Sequence, residues 1–315
     1  NFLTYADGYD FLNSLFRACT KKHDAYVDFS QYEGIAIFLD DRELDLSDGT
    51  ACAYGDTCTS NRRIGVAGAA WVDLQIATLD GTTGWRTIWM SSHQSALNEV
   101  TDHELIHAYG GTHSAAGADD AAAHLECFPF GGPSCMHQWD PMAMASLGLP
   151  ADSHTLAANK VFNLGWIDGA RRCNVTTDVT NQEFQLERLA RPRDNGRCLA
   201  ITIQVPGTTS AWYVVEARFP VGFERDSSTE WSGGGIPGAG VLISRICTEG
   251  FFCSREAMVV GQDHNPQDGM IDTRSAYWQA GETFTNYTGA IKVAVTAKGA
   301  GYYTVRVTRD STPTP

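Results

Sequence analysis

Apolar residues recur at two different periods along this 315-residue chain, and the change of period divides it. In residues 8–20, Phe11, Leu12, Leu15 and Phe16 fall at helical spacing, which predicts an amphipathic helix laid on a sheet. Residues 34–39 (GIAIFL) are a continuous apolar run closed by Asp40 and Asp41, the pattern of a short buried strand. Residues 63–80 predict one or two strands and residues 85–90 another. A helix is expected over 94–109, with Ser92 or Ser95 placed to cap it, and a further helix over 152–164. In that second helix Asp152 or Ser153 is the expected cap, and Leu156, Val161 and Leu164 form the apolar face. From residue 171 the period becomes two. Residues 185–189, 198–205, 211–217, 240–246, 291–295 and 303–307 are six strand candidates, separated by turn residues such as Gly233-Gly234-Gly235 and Pro237-Gly238. The pattern predicts an α+β domain over residues 1–170 and an antiparallel β-sandwich-like domain over 171–309. Residues 310–315 have the composition of a Ser/Thr/Pro linker, expected to lead to a further domain.

Composition narrows the function classes. The net charge of −14 and pI of about 5.0 leave no general basic face for nucleic acid. No run of 18 apolar residues exists to cross a membrane as a helix. Nine cysteines point to an oxidising compartment. Their spacing favours the pairs Cys52–Cys58, Cys127–Cys135, Cys247–Cys253 and Cys173–Cys198, with Cys19 left free. Two N-glycosylation sequons, Asn174-Val175-Thr176 and Asn286-Tyr287-Thr288, agree with secretion. The chain is expected to begin after removal of a signal and propeptide, and to act as a secreted monomer on protein or glycoprotein partners, without nucleic acid or membrane.

The chemistry concentrates in His103-Glu104-Leu105-Ile106-His107-Ala108-Tyr109-Gly110-Gly111-Thr112-His113. Histidines four apart on a helix project from one face, one turn apart, and both can reach one zinc ion. Glu104, next to His103, is placed as general base and Gly110 can end the helix, so that the chain turns and returns His113 as third ligand. Three protein ligands leave a fourth position for water, as in a catalytic rather than a structural zinc site. A second cluster, Asp263, Asn265, Asp268 and Asp272, crowds oxygen ligands into one loop and is a candidate calcium site, although its spacing is not that of an EF-hand. Loops are rich in such residues in any case.

The extended histidine pattern resembles the metzincin metalloproteases. That group carries a methionine in a tight turn beneath its histidines, and Met136, Met142 and Met144 compete for the role. Met136, in Ser134-Cys135-Met136-His137, resembles the astacin turn, but Gln138 stands where that group has a tyrosine. Met142, in Asp140-Pro141-Met142, fits better. The sequence from the histidine motif through Asp-Pro-Met to Asn159-Lys160-Val161-Phe162-Asn163-Leu164-Gly165-Trp166 resembles the gametolysin-like peptidases, and more distantly the immune-inhibitor-A family. The resemblance covers residues 90–170. Ala143 and Ile106 stand where that family usually has glycine, and neither is a ligand.

The resemblance implies a metzincin-like catalytic domain: a twisted sheet, an active-site helix and a helix after the methionine turn. It implies a zinc endopeptidase with His103, His107 and His113 as ligands, Glu104 as general base and Met142 as floor. It also implies an edge strand that binds extended substrate, with candidates in residues 63–80, and a specificity pocket near residues 142–149. The rival expectation is a secreted zinc-containing module that binds glycan or protein with little turnover.

Overall fold

The computed structural model describes residues 5–39, 45–46, 49–50, 68–91, 97–117, 119, 139–143, 155–222, 236, 238–248, 257–261 and 276–312. The chain forms a sheet-rich α+β fold in two compact units, residues 1–110 and 111–315.

In the first unit, helix α1 (Tyr5–His23) is followed by strand β1 (Gly34–Leu39), a short ladder of β2 (Asp45–Leu46) with β3 (Gly49–Thr50), and the long strands β4 (Gly68–Thr78) and β5 (Gly81–Ser91). Helix α2 (Leu97–Ala108) completes it. The three-stranded sheet runs β1-β5-β4, with β1 parallel and β4 antiparallel to β5. Gly81, at φ 124°, makes the β4–β5 turn that a residue with a Cβ would strain. Phe16 from α1, Phe29, and Leu74, Ile76, Trp85 and Trp89 from the hairpin form one core, and α2 packs on β4 and β5.

The second unit contains β6 (Ser114–Gly117), helix α3 (Ala157–Phe162), β7 (Arg172–Val175), β8 (Val179–Glu187), β9 (Ala200–Gln204), β10 (Ala211–Arg218) and β11 (Gly240–Cys247). It closes with β12 (Ala257–Val260), β13 (Thr283–Thr285), β14 (Ile291–Gly299) and β15 (Tyr302–Arg309). A six-stranded sheet, β6-β12-β11-β10-β9-β7, faces a four-stranded sheet, β13-β14-β15-β8. Ile201, Tyr213, Val215, Val241, Ile243 and Val260 from the first meet Phe284, Ile291, Val293, Tyr303, Val305 and Val307 from the second in a single core. The opposite face of the larger sheet presents Val214, Leu242, Ile246 and Val259 to Leu156, Ala157, Ala158 and Val161 around α3 and to Trp139. Strands β10 and β11 are therefore buried on both faces, which is why they read as nearly continuous apolar runs.

All six strand candidates are strands, and β1 has the expected bounds. Four features differ from expectation. The units divide at Gly110/Gly111 rather than at 170/171, because β6 pairs with β12 and α3 packs on β10 and β11. The six-stranded sheet is mixed, not antiparallel: β6 pairs in parallel with β12, and β7 with β9. Helix α3 is only six residues long, and its expected caps, Asp152 and Ser153, lie outside the described residues. In the sequon at 286, Asn286 is buried, its Oδ1 accepting from the Ile291 N–H at 2.8 Å and its Nδ2 donating to Thr288 Oγ1 at 2.9 Å, whereas Asn174 is exposed. Cys173 and Cys198 form the expected disulfide and Cys19 is free. Cys247 is also disulfide-bonded, while Cys253 and the pairs Cys52–Cys58 and Cys127–Cys135 fall on residues outside those described.

Glu187, at the end of β8, is fully buried yet ionic. Arg193 grips it with two parallel bonds of 2.8 and 3.1 Å, Asn195 donates at 2.7 Å and Arg197 at 3.3 Å. Burial pushes this carboxyl up, but the hydrogen bonds and charges of Arg193, Asn195 and Arg197 outweigh it and hold the pKa at about 2. A glutamate in the unfolded chain titrates near 4.3, so the folded value is the lower. The stabilisation is thus present above about pH 4.3 and is lost as pH falls toward about 2; it is on the order of 3 kcal/mol. Calorimetric melting of Glu187→Gln is expected to show its largest deficit near neutral pH, with the gap to wild type narrowing across that acid window.

Candidate metal centre

Helix α2 ends in the way the sequence requires. Gly110 adopts φ 94° and donates its N–H to the His107 carbonyl at 2.8 Å. The guanidinium of Arg86, on β5, lies 4.7 Å from the centre of the Tyr109 ring, which places a cation at the helix C-terminus. Ile106 and Ala108 are buried, Leu105 faces solvent, and His103, Glu104 and His107 are half-buried.

The rings of His103 and His107 meet edge to face, and their Nε2 atoms are 3.1 Å apart. Two imidazoles bound to one tetrahedral zinc at 2.0–2.1 Å would hold their nitrogens about 3.3 Å apart. That separation alone also suits a single N–H···N bond, so the third ring decides. One ring nitrogen from each of His103, His107 and His113 lies within 4.8 Å of the others. Among the described residues this is the only such group of three or more ligating side chains. Three imidazoles with no thiolate fit zinc with a fourth position open. Burial pushes the neighbouring Glu104 carboxyl up to about 7, in the range where a side chain both takes and returns protons near neutral pH.

The backbone on either side of His113 is fixed by groups far away in sequence. Before it, Thr112 is clamped by α3. Asn159 donates from Nδ2 to the Thr112 carbonyl at 3.0 Å and accepts from Thr112 Oγ1 at 3.1 Å. Asn163, one turn on, donates to Thr112 Oγ1 at 3.1 Å and to Asn159 Oδ1 at 2.7 Å. After it, the Ser114 N–H donates to the Met142 carbonyl at 3.1 Å, and Ser114 bridges Ala143.

Met142 is fully buried in a tight turn. The Ala143 N–H donates to the Asp140 carbonyl at 3.0 Å and the Met142 N–H to Asp140 Oδ1 at 2.9 Å. Asp140 Oδ2 accepts from the Leu156 N–H at 3.3 Å, just before α3 begins. Burial pushes the Asp140 carboxyl up, against the Met142 N–H, the charge of Arg218, the Leu156 N–H and the Thr155 hydroxyl. Arg218, at the end of β10, is itself fully buried and paired with Glu216, whose second oxygen accepts the Ala157 N–H. That carboxylate satisfies an orphan donor at the start of α3, a helix whose N-cap residue, Leu156, makes no capping bond with its side chain.

Comparison with protein-family models, with curated proteins and with solved structures finds no match to this chain. The structure brings the three histidines together, and Met142 is buried in a tight turn. Among the described residues β4 pairs only with β5, so the strand within residues 63–80 lies at a sheet edge. Met136, Met144 and the loop with Asp263, Asn265, Asp268 and Asp272 lie outside the described residues. Sequence reasoning missed Thr112, Asn159 and Asn163 as positioning residues, and Glu216 and Arg218 as buried ions. The available signals were asparagines at i and i+4 on an otherwise apolar helix, and two charged residues inside an apolar strand.

Two substitutions test this scaffold. Arg218→Leu leaves Glu216 buried without its cation and is expected to cost about 3–5 kcal/mol in urea unfolding. Asn159→Ala removes both bonds to Thr112 and should weaken zinc binding roughly tenfold by chelator competition, about 1.4 kcal/mol, while circular dichroism still reports a folded chain.

Proposed function

We propose that the chain is a zinc-dependent endopeptidase of the gametolysin-like metzincin kind, secreted and acting on protein or glycoprotein substrates. The observation that carries this reading is the convergence of three imidazole nitrogens within 4.8 Å beside a glutamate whose pKa burial pushes up to about 7. His103, His107 and His113 would hold the metal, with Met142 as the apolar residue of the supporting turn. The bound zinc supplies a Lewis acid that acidifies a water and polarises a peptide carbonyl.

Glu104 takes the proton from the attacking water and passes it to the departing amine nitrogen, which turns a poor leaving group into a good one. The half-buried setting keeps its proton affinity high enough for both transfers. A dication nearby favours the carboxylate form, so the acid limb of activity falls at or below about pH 7. Strand β4, at a sheet edge among the described residues, would take an extended substrate as an added strand.

Glu104→Gln should retain about one zinc per chain by elemental analysis and lose casein hydrolysis by at least about a hundredfold, the usual scale for general-base catalysis. Wild-type cleavage should be abolished by a chelator and restored by zinc. A His113→Ala chain that keeps stoichiometric zinc would remove the ligand assignment. Stoichiometric zinc with no hydrolysis by wild type would favour the binding-module alternative.

A further inference from the structure

We propose that the second unit carries a binding site for an anionic polysaccharide, one bearing sulfate or carboxylate groups, built from five arginines around the β8–β9 loop. The residues are Arg171, Arg188, Arg191, Arg193 and Arg197, four of them within the run Glu187-Arg-Leu-Ala-Arg-Pro-Arg-Asp-Asn-Gly-Arg197. The site is independent of the metal centre and of any peptidase activity.

Charge is the first argument. The whole chain carries −14, yet this loop gathers five guanidiniums around one buried carboxylate, Glu187, and one exposed one, Asp194. Glu187 pairs with Arg193 and Arg197. Among the described residues no carboxylate lies within ion-pair distance of Arg171, Arg188 or Arg191; the guanidiniums of Arg171 and Arg188 bond to backbone carbonyls. An acidic protein that concentrates arginine in one place sets up a local field opposite to its own average.

Preorganisation is the second argument. Arg171 donates to the Arg197 carbonyl at 2.6 Å and to the Arg193 carbonyl at 3.2 Å, and Arg188 donates to the Arg191 carbonyl at 3.0 Å. Arg197 lies 4.0 Å from the centre of the Tyr302 ring and bonds Gln185 at 2.7 Å. Arg193 and Arg188 flank one spot at the β14–β15 turn, where their Nη2 and Nη1 atoms lie 3.3 and 3.6 Å from the position a Cβ on Gly301 would take. Arg191 holds a left-handed backbone at φ 48°, and the Cys173–Cys198 disulfide anchors the end of the loop. The guanidiniums of Arg171, Arg188, Arg193 and Arg197 are thus oriented before any ligand arrives, which lowers the ordering cost of binding. Their remaining N–H forks match sulfate and carboxylate oxygens.

A polysaccharide is favoured over nucleic acid because, among the described residues, the aromatic ring packed into the cluster is that of Tyr302, and Arg197 covers it; single-stranded nucleic acid draws much of its affinity from stacking.

The test is fluorescence anisotropy of labelled dextran sulfate, with neutral dextran and oligo(dT) as comparators, titrated with the full chain at neutral pH. Dextran sulfate should bind, weaken steeply as salt is raised, and outcompete both comparators. Arg188→Gln combined with Arg191→Asn, which leaves the Glu187 pairs intact and places a left-handed-tolerant residue at 191, should lose at least tenfold in affinity with an unchanged melting temperature. Lys292→Gln, which removes an exposed cation on β14 away from the patch, should bind as wild type does. Absence of binding, equal binding by the double variant, or tighter binding of oligo(dT) than of dextran sulfate overturns the proposal.

Discussion

One buried guanidinium holds the second unit's functional elements in register. Arg218 sits in the sheet paired with Glu216 and acts by its charge on Asp140, all three fully buried. Taking such charges out of water is costly unless each finds partners, so the chain around them has little freedom. Asp140 must keep its turn closed on Met142, α3 must start where Glu216 accepts Ala157, and β10 must end where Arg218 pairs with Glu216. The turn, the helix and the strand are thereby fixed to one another by electrostatics, and apolar packing around Trp139 and Leu156 fills the remaining space.

From that frame the path to the histidine segment is short. Helix α3, placed by Glu216, presents Asn159 and Asn163 to Thr112, and the Met142 carbonyl takes the N–H of Ser114. Those two anchors fix the backbone on either side of His113. His103 and His107 are positioned differently, by the i, i+4 geometry of α2 and by the glycine that ends it.

What was legible in the sequence follows the range of the forces involved. The strands declared themselves because side-chain alternation is local, and the histidine motif because helix spacing is local. Helix α3 read as longer than its six residues because its apolar positions continue past the point where the carboxylate of Glu216 sets its start, a contact with a strand almost sixty residues on. The small residues of β6 carry no strand signal; they form a strand because β12 lies beside them. Asn286 looked like a modification site from its triplet, and only the fold shows it turned inward to close the turn before β14. The Cys173–Cys198 pair was legible because the other spacings left it over, whereas the arginine loop gave no ordered pattern, only composition.

The pairing of β6 with β12 has a consequence in time rather than in space. The backbone after His113 is a parallel strand whose partner, residues 257–260, lies far downstream and can be added only late in synthesis. A ribosome delivers the histidine motif well before it delivers the strand that secures its last member. The nascent chain therefore carries the complete histidine motif before the sheet that fixes the backbone after His113 has closed.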